Sequence, residues 1–338
     1  MIRRTAALVA LGTMSWIPAS PAGAACGGGW SELPSPAAHY AEGVAALAED
    51  DVWLVAWDTN AQREDQGYTY HWDGLGWTRI PIPEPGVAEY VWGVGAITTN
   101  DVWIVGTWQE NVTYEGHLYS AHWDGSQFTR IELDGGRSAR VFAADGVATD
   151  DVWTVGYHYV DHRYRSLAMH WDGVGWTEVP TPMPDLASRY LYGVHAIAPD
   201  DVWAVGSTFT RATGERPLAL HWDGVSWTNT APVSPAPMSL LAGVTATAPD
   251  RVWAVGHVNN GEDMLIERWN GTRWRVVPAP DTGATTSSLS DVSAVSARQA
   301  WAVGGANEGE PAPLALEWNR LALDRSAGRP NRGLIGCS

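Results

Sequence analysis

A set of aromatic rings, three carboxylates and one histidine stand outside the chain's recurrent motifs and have the chemistry to bind a ligand. Trp57, Trp92 and Trp108 break the tryptophan pattern, and all 11 tyrosines lie between Tyr40 and Tyr192. Taking the residue before an inner-strand glycine in each unit gives Glu42, Trp92, Asp145, Tyr192 and Ala242, with Asp291 as the sixth. Those six are expected to surround one mouth, with Tyr40, Tyr90, Tyr190 and His195 beside it. Aromatic rings stack on the C–H faces of sugars while polar neighbours pair with the hydroxyls. Tyr and Trp are equally favoured at protein interfaces. Glu42, Asp145 and Asp291 have the means to bind a cation or to act as acid and base. They serve equally as solvated charges on an acidic protein, the commoner role. His158 and His162 are four apart around Asp161, a spacing that suits a helix in a segment that is not helical. No metal site and no cofactor are expected.

The ends and the charge narrow the setting. Arg3 and Arg4, an apolar stretch over residues 5–17 and Ala22-Gly23-Ala24 have the layout of a secretory signal peptide over residues 1–25. That apolar stretch is too short to span a bilayer, and no later one is long enough. Loss of Arg3 and Arg4 takes the net charge from −17 to −19, since residues 1–25 contain no acid. A chain this acidic repels phosphate backbones, which excludes nucleic acid as a partner. All 21 basic residues are arginine, which excludes Schiff-base chemistry on lysine. Cys26 and Cys337 are the two cysteines. In an oxidising compartment they are expected to pair. The rival is a lipid anchor at Cys26, which would leave Cys337 unpaired and lacks the Leu usual three residues upstream.

The elements that must hold these residues follow from an internal repeat. Asp-Val-Trp-x-Val-(Gly/Ala) recurs with Trp at 53, 103, 153, 203 and 253, and a shortened copy carries Trp301. His-Trp-Asp-Gly follows with Trp at 72, 123, 171 and 222, and Trp269 and Trp318 mark decayed copies. A third aromatic comes five residues later at Trp77, Phe128, Trp176, Trp227 and Trp274. Each unit reads as four short strands: Val, Trp and Thr suit half-buried strands, and nothing has helical period. Asp-Gly fits a tight turn, which explains Asp73, Asp124, Asp172 and Asp223 without chemistry. The recurring His71, His122, His170 and His221 are read as structural. Such units are the mark of propeller blades. The missing sixth copy of the third aromatic is Trp30, because residues 28–34 (Gly-Gly-Trp-Ser-Glu-Leu-Pro) mirror residues 75–81. The expectation is an all-β, six-bladed propeller over residues 26–338, monomeric and closed by its N-terminal strand. The connections at 58–69, 107–119, 157–165 and 207–217 are expected to be long loops on one face.

The pattern resembles the kelch and galactose-oxidase-like propellers over residues 30–320. The resemblance lies in the glycines that end the second strand (Gly106, Gly156, Gly206, Gly256) and in the aromatic pair that brackets a turn. It departs in having a double glycine only at Gly304-Gly305 and Trp as the first aromatic. The Asp-Gly-x-x-Trp turn also resembles a shortened Asp-box of sialidase-type propellers. A copper-radical oxidase of this resemblance would need a Cys bonded to Tyr, and both cysteines are terminal. A sialidase would need several convergent arginines, and Arg140 and Arg189 are too few.

Fold does not assign function. The leading expectation is a secreted, non-catalytic, lectin-like module that recognises polysaccharide or cell-surface glycan through the face of blades one to four. An extracellular glycan hydrolase or lyase is the first alternative, drawing on Glu42, Asp145, Tyr190, Tyr192 and His195. A cell-surface protein-interaction scaffold is the second.

Overall fold

In the computed structural model of the protein, the described residues lie between 40 and 319, except 49, 60–64, 84–87, 110–115, 137, 183–186, 297–298 and 308–310. Among them are strands and no helix, and no helix long and apolar enough to cross a membrane. The strands form six antiparallel sheets in chain order. The first contains β1 (Tyr40–Ala48), β2 (Asp51–Thr59), β3 (Asp65–Trp72) and β4 (Trp77–Ile80). The second contains β5 (Ala88–Thr98), β6 (Asp101–Gln109), β7 (Gly116–Trp123) and β8 (Phe128–Ile131). The third contains β9 (Arg140–Ala148), β10 (Asp151–Val160), β11 (Arg163–Trp171) and β12 (Trp176–Glu178). The fourth contains β13 (Ser188–Ala198), β14 (Asp201–Thr210), β15 (Gly214–Trp222) and β16 (Trp227–Asn229). The fifth contains β17 (Leu240–Ala248), β18 (Arg251–Val258), β19 (Asp263–Trp269) and β20 (Trp274–Val276). The sixth shows three strands, β21 (Thr286–Ser296), β22 (Gln299–Asn307) and β23 (Pro311–Asn319). Its proposed fourth strand around Trp30, and both cysteines, lie outside the described residues.

Local chemistry makes the turns. Asp223 Oδ1 accepts the backbone N–H groups of Val225 at 2.9 Å and Ser226 at 2.8 Å, and Gly224 takes φ +87° between them. Asp73, Asp124 and Asp172 repeat the arrangement, and Asn270 supplies it in the fifth sheet. These bonds favour the charged carboxylate, so all four aspartates are held below the ordinary range, Asp124 at about 2. Their role is structural, as the sequence implies.

Successive sheets meet through five cores. Each is built from one face of a sheet and the opposing face of the next. The second-strand tryptophans are the keystones. Trp153 is 1 % exposed, and its ring meets Trp222 of the next sheet at 5.2 Å and Trp227 edge-on at 5.2 Å. Trp53, Trp103 and Trp203 make the same pair of contacts across their own interfaces. Such pairs contribute about 0.5–1.5 kcal/mol beyond area burial.

The recurring histidines cover the other side of those rings. His71, His122, His170 and His221 stack on Trp53, Trp103, Trp153 and Trp203 at 4.4–4.6 Å. Each also places Nε2 within 2.8–2.9 Å of an aspartate oxygen, on Asp51, Asp101, Asp151 and Asp201. In the fifth sheet Arg251 stands where that aspartate does elsewhere, and the guanidinium of Arg268 covers Trp253 in place of the imidazole. The imidazole and its aspartate were replaced together, which marks the position as packing.

One expectation changes here. β10 and β11 are joined by a two-residue turn at Asp161–His162, both at positive φ, so 157–165 is a hairpin and its tyrosines sit on strands. β14 and β15 likewise extend to Thr210 and from Gly214. Continuous pairing satisfies the backbone groups that a loop would leave open.

Candidate functional site

Every inner strand carries a β-bulge at the same place. In β5, Val91 pairs with Gly106 and Gly93 with Val105, so Trp92 is the extra residue. The same step leaves Glu42, Phe142, Tyr192, Ala242 and Ser290 as the extra residues of β1, β9, β13, β17 and β21. A bulge re-aims its side chain. These six residues line a cavity of about 270 Å³, the mouth of a larger one of about 390 Å³ that all six inner strands line. The residue after the bulge is often glycine because the inner strands nearly touch. A Cβ on Gly193 would lie 2.8 Å from the Ala242 carbonyl oxygen.

This register corrects two members of the expected mouth. Asp145 pairs with Trp153 as His195 pairs with Trp203, so it lies three residues deeper than Phe142, which takes the mouth position. Asp291 lies one residue past Ser290. The third unit misleads because Ala143 stands where its neighbours have glycine, which shifts an alignment made on Gly146. Counting 11 residues back from each repeat tryptophan finds all six mouth residues.

The expected aromatics form one connected run. Trp57 meets Tyr90 edge-on at 5.5 Å, and Tyr90 stacks on Trp92 at 5.6 Å and 9°. Trp92 reaches Phe142 at 6.1 Å, and Phe142 reaches Tyr192 and Tyr157, both at 5.7 Å. Tyr192 lies parallel to Tyr190 at 6.3 Å, and Tyr190 meets Tyr164 at 5.3 Å. The run thus crosses the first four sheets. Phe142, Tyr157 and Tyr164 were not among the expected site residues, and Tyr157 occupies the position of Trp57 two units on. Of Tyr40 the backbone is described, paired with Trp57. Trp108 sits apart, stacked on His117 at 4.7 Å with the Arg130 guanidinium over it.

Burial raises the phenols of Tyr157, Tyr190 and Tyr192, the last to about 12, so all three stay neutral donors. Glu42 Oε1 accepts the Trp57 indole N–H at 2.7 Å. Deeper in, His195 Nδ1 lies 3.0 Å from Asp145 Oδ2, and Nε2 lies 3.2 Å from the Ala246 carbonyl oxygen. Both nitrogens face acceptors, a setting that favours the doubly protonated ring. Burial pulls the His195 pKa down, and Asp145, the Ala246 carbonyl and Asp291 together outweigh it, leaving the value raised. Asp145 is fully engaged, with Oδ2 also accepting the Ala196 N–H and Oδ1 the Gly146 N–H. The Asp291 side chain is exposed at the cavity surface, yet protein atoms crowd it from all around. Burial pushes it up to about 6 against the Val292 N–H and the His195 charge.

No three metal-ligating side chains cluster among the described residues. In particular, His158 lies near Gly135 and Glu178. The expected site residues therefore divide into a ring-lined mouth, a charged pair below it, and the separate Trp108.

No family model matches the chain, and no curated protein sequence does. Solved structures match it in fold. A protein of unknown function from Dyadobacter fermentans is similar at a TM-score of 0.57 and 11% identity, over 83% of this chain and 95% of that one. A Hadza microbial sialidase is similar at 0.54 and 10%, over 84% and 66%. The fucose-specific lectin from Aleuria aurantia is similar at 0.50 and 14%, over 81% and 90%. The likeness is one of fold: repeated four-stranded antiparallel sheets of the β-propeller class.

Proposed function

We propose that the protein is a secreted, non-catalytic, lectin-like module that recognises polysaccharide or cell-surface glycan through the mouth carried by its first four sheets. One observation carries this reading. At the centre of the connected run, Trp92, Phe142 and Tyr192 occupy the bulge position that the fifth and sixth sheets fill with Ala242 and Ser290. The fold therefore does not need rings there, whereas sugar faces do. A fucose-specific lectin of similar fold is in keeping with this use of the architecture.

The proposal includes residues 1–25 as a signal peptide and residues 26–338 as one kelch-like, six-bladed, monomeric propeller. The strand around Trp30 completes the sixth sheet, and a Cys26–Cys337 disulfide holds the closure. Surface exposure supports it. Val303 is 40% exposed and Val44 is 50% exposed, while their counterparts in the other sheets are buried. Packing the sixth sheet against the first would cover both. A disulfide closing so long a loop stabilises by roughly 4–5 kcal/mol in the chain-entropy model. Cys26→Ser is expected to lower the thermal midpoint and leave Cys337 open to alkylation, measured by mass spectrometry. A free thiol on the wild-type protein would remove the disulfide, and a lipid on Cys26 would replace it.

The test of function is a screen of the full-length protein against soluble glycans and insoluble polysaccharides, beside a Trp92→Ala/Tyr192→Ala variant. Sub-millimolar binding that the variant loses, without product, is the expected result. A hydrolase or lyase would draw on Asp145, His195 and Asp291, and released product would put that reading first. Tyr159, Tyr164 and Phe209 are exposed beside the mouth, which favours a protein partner as the second reading. Its mark is one stoichiometric protein recovered on the immobilised chain and lost with Tyr164→Ala.

A further inference from the structure

We infer that the glycan taken by this mouth carries free amino groups, as a de-N-acetylated amino-sugar polymer does. Its ammonium groups sit against Glu42 and Asp291 and its ring faces against Trp92 and Tyr192. The inference rests on the glycan reading above and narrows it.

The charges of the cavity decide the sign of the ligand. Its charged lining is Glu42, Asp145, His195 and Asp291; no arginine is in that lining, Arg140 standing at the rim two residues before Phe142, and the chain has no lysine. Asp145 and the His195 imidazolium satisfy one another at 3.0 Å. Asp291 feels the same imidazole without an ion-pair contact, and Glu42 has no cation beside it in the lining. Glu42 has one oxygen on the Trp57 indole, and its other oxygen has no hydrogen bond among the described residues. Asp291 has one oxygen on the Val292 N–H at 2.8 Å. Three carboxylates against one imidazole leave the cavity net negative, which repels an anionic sugar and attracts a cation.

The walls agree with the charges. Trp92, Phe142 and Tyr192 line it with aromatic rings, a residue type that attracts cations as well as sugar C–H groups. An amino sugar offers both on one ring. A volume of about 390 Å³ lies within the range of small-molecule sites. The net charge of −17 draws a cationic polymer from a distance. Burial also lifts the Asp291 carboxyl to about 6, and a bound ammonium would bring it down again.

The experiment titrates the full-length protein by tryptophan fluorescence at pH 6.5 and 0.15 M salt. The probes are a glucosamine tetrasaccharide, its fully N-acetylated form and an oligolysine peptide. Glucosamine is expected to bind about tenfold more tightly than the acetylated form, the scale of a partly desolvated cation–π contact. The Glu42→Gln/Asp291→Asn variant should lose that preference while keeping its fold by circular dichroism. Equal affinity for the two sugars overturns this inference and leaves the glycan reading standing. A preference that survives in the variant also overturns it, by assigning the effect to diffuse surface charge. Binding of oligolysine alone, or of no probe, overturns it as well, and the polysaccharide screen then judges the glycan reading separately.

Discussion

Three positions per sheet build the mouth: the residue two before the bulge, the bulge residue, and the second-strand residue beside them. In the second sheet these are Tyr90, Trp92 and Thr107, in the third Arg140, Phe142 and Tyr157, and in the fourth Tyr190, Tyr192 and Ser207. In the fifth they are Leu240, Ala242 and His257, and in the sixth Ser288, Ser290 and Gly305. Backbone register is the same throughout, bulge included. The framework tryptophans behave in the opposite way, recurring in every sheet and meeting the next sheet's rings wherever the five cores form. One set of rings is required by packing. The other is confined to part of the molecule, and packing does not ask for it.

The sharpest way to break this contrast is to remove one ring from each set. Trp153→Ala empties a closed core and should cost about 3–5 kcal/mol in chemical denaturation. The Trp92→Ala/Tyr192→Ala variant should lose glycan binding by tenfold or more while unfolding far closer to the wild type. If the second variant is as unstable as the first, the mouth rings are structural after all.

A weaker effect concerns the charge beneath the mouth. The Asp291 carboxyl has a folded-state pKa of about 6 against an ordinary value of 3.8. The folded chain therefore holds this proton better than the unfolded one between those values. Stability falls as pH rises through that window, and the ionised group opposes folding above it. Asp291→Asn should raise the thermal midpoint at pH 7.5, with the gain shrinking through pH 6 and gone near pH 4. His195 runs in the same direction, for a different reason. Its raised pKa stabilises fully below its ordinary 6.5 and loses that contribution as pH climbs through the folded value. Melts of Asp291→Asn and His195→Gln across pH 4–8 separate the two. The smallest effect is expected from Ala242→Trp, which places a ring on the fifth sheet's bulge. That mouth is open and the bulge already present, so the midpoint should move by only a few degrees.

The fold was legible because packing repeats. The tryptophan, His-Trp and Asp-Gly landmarks recur every 48–51 residues, and each corresponds to a buried ring, a stacked imidazole or a capped turn. The closing strand is a different matter, since Trp30 and both cysteines lie outside the described residues. The site was half legible. Trp57, Tyr90, Trp92, Tyr190 and Tyr192 stand out as departures from the repeat, and they do come together. Phe142 escaped because a glycine-based alignment slips by three where Ala143 replaces glycine. Tyr157 and Tyr164 were visible as tyrosines, but their place depends on a hairpin whose tight turn uses Asp161 and His162 at positive φ. Neither residue is the usual glycine, so the turn has no strong sequence mark. Trp108 looked like a site residue by type and packs instead between His117 and Arg130.

The most direct measurement is a crystal structure of the protein with the tightest oligosaccharide from the screen. The account expects a sugar ring stacked on Trp92 or Tyr192, with polar groups reaching Glu42 and Asp291. A sugar seated on the fifth or sixth sheet, or along the outer strands away from the mouth, would contradict it.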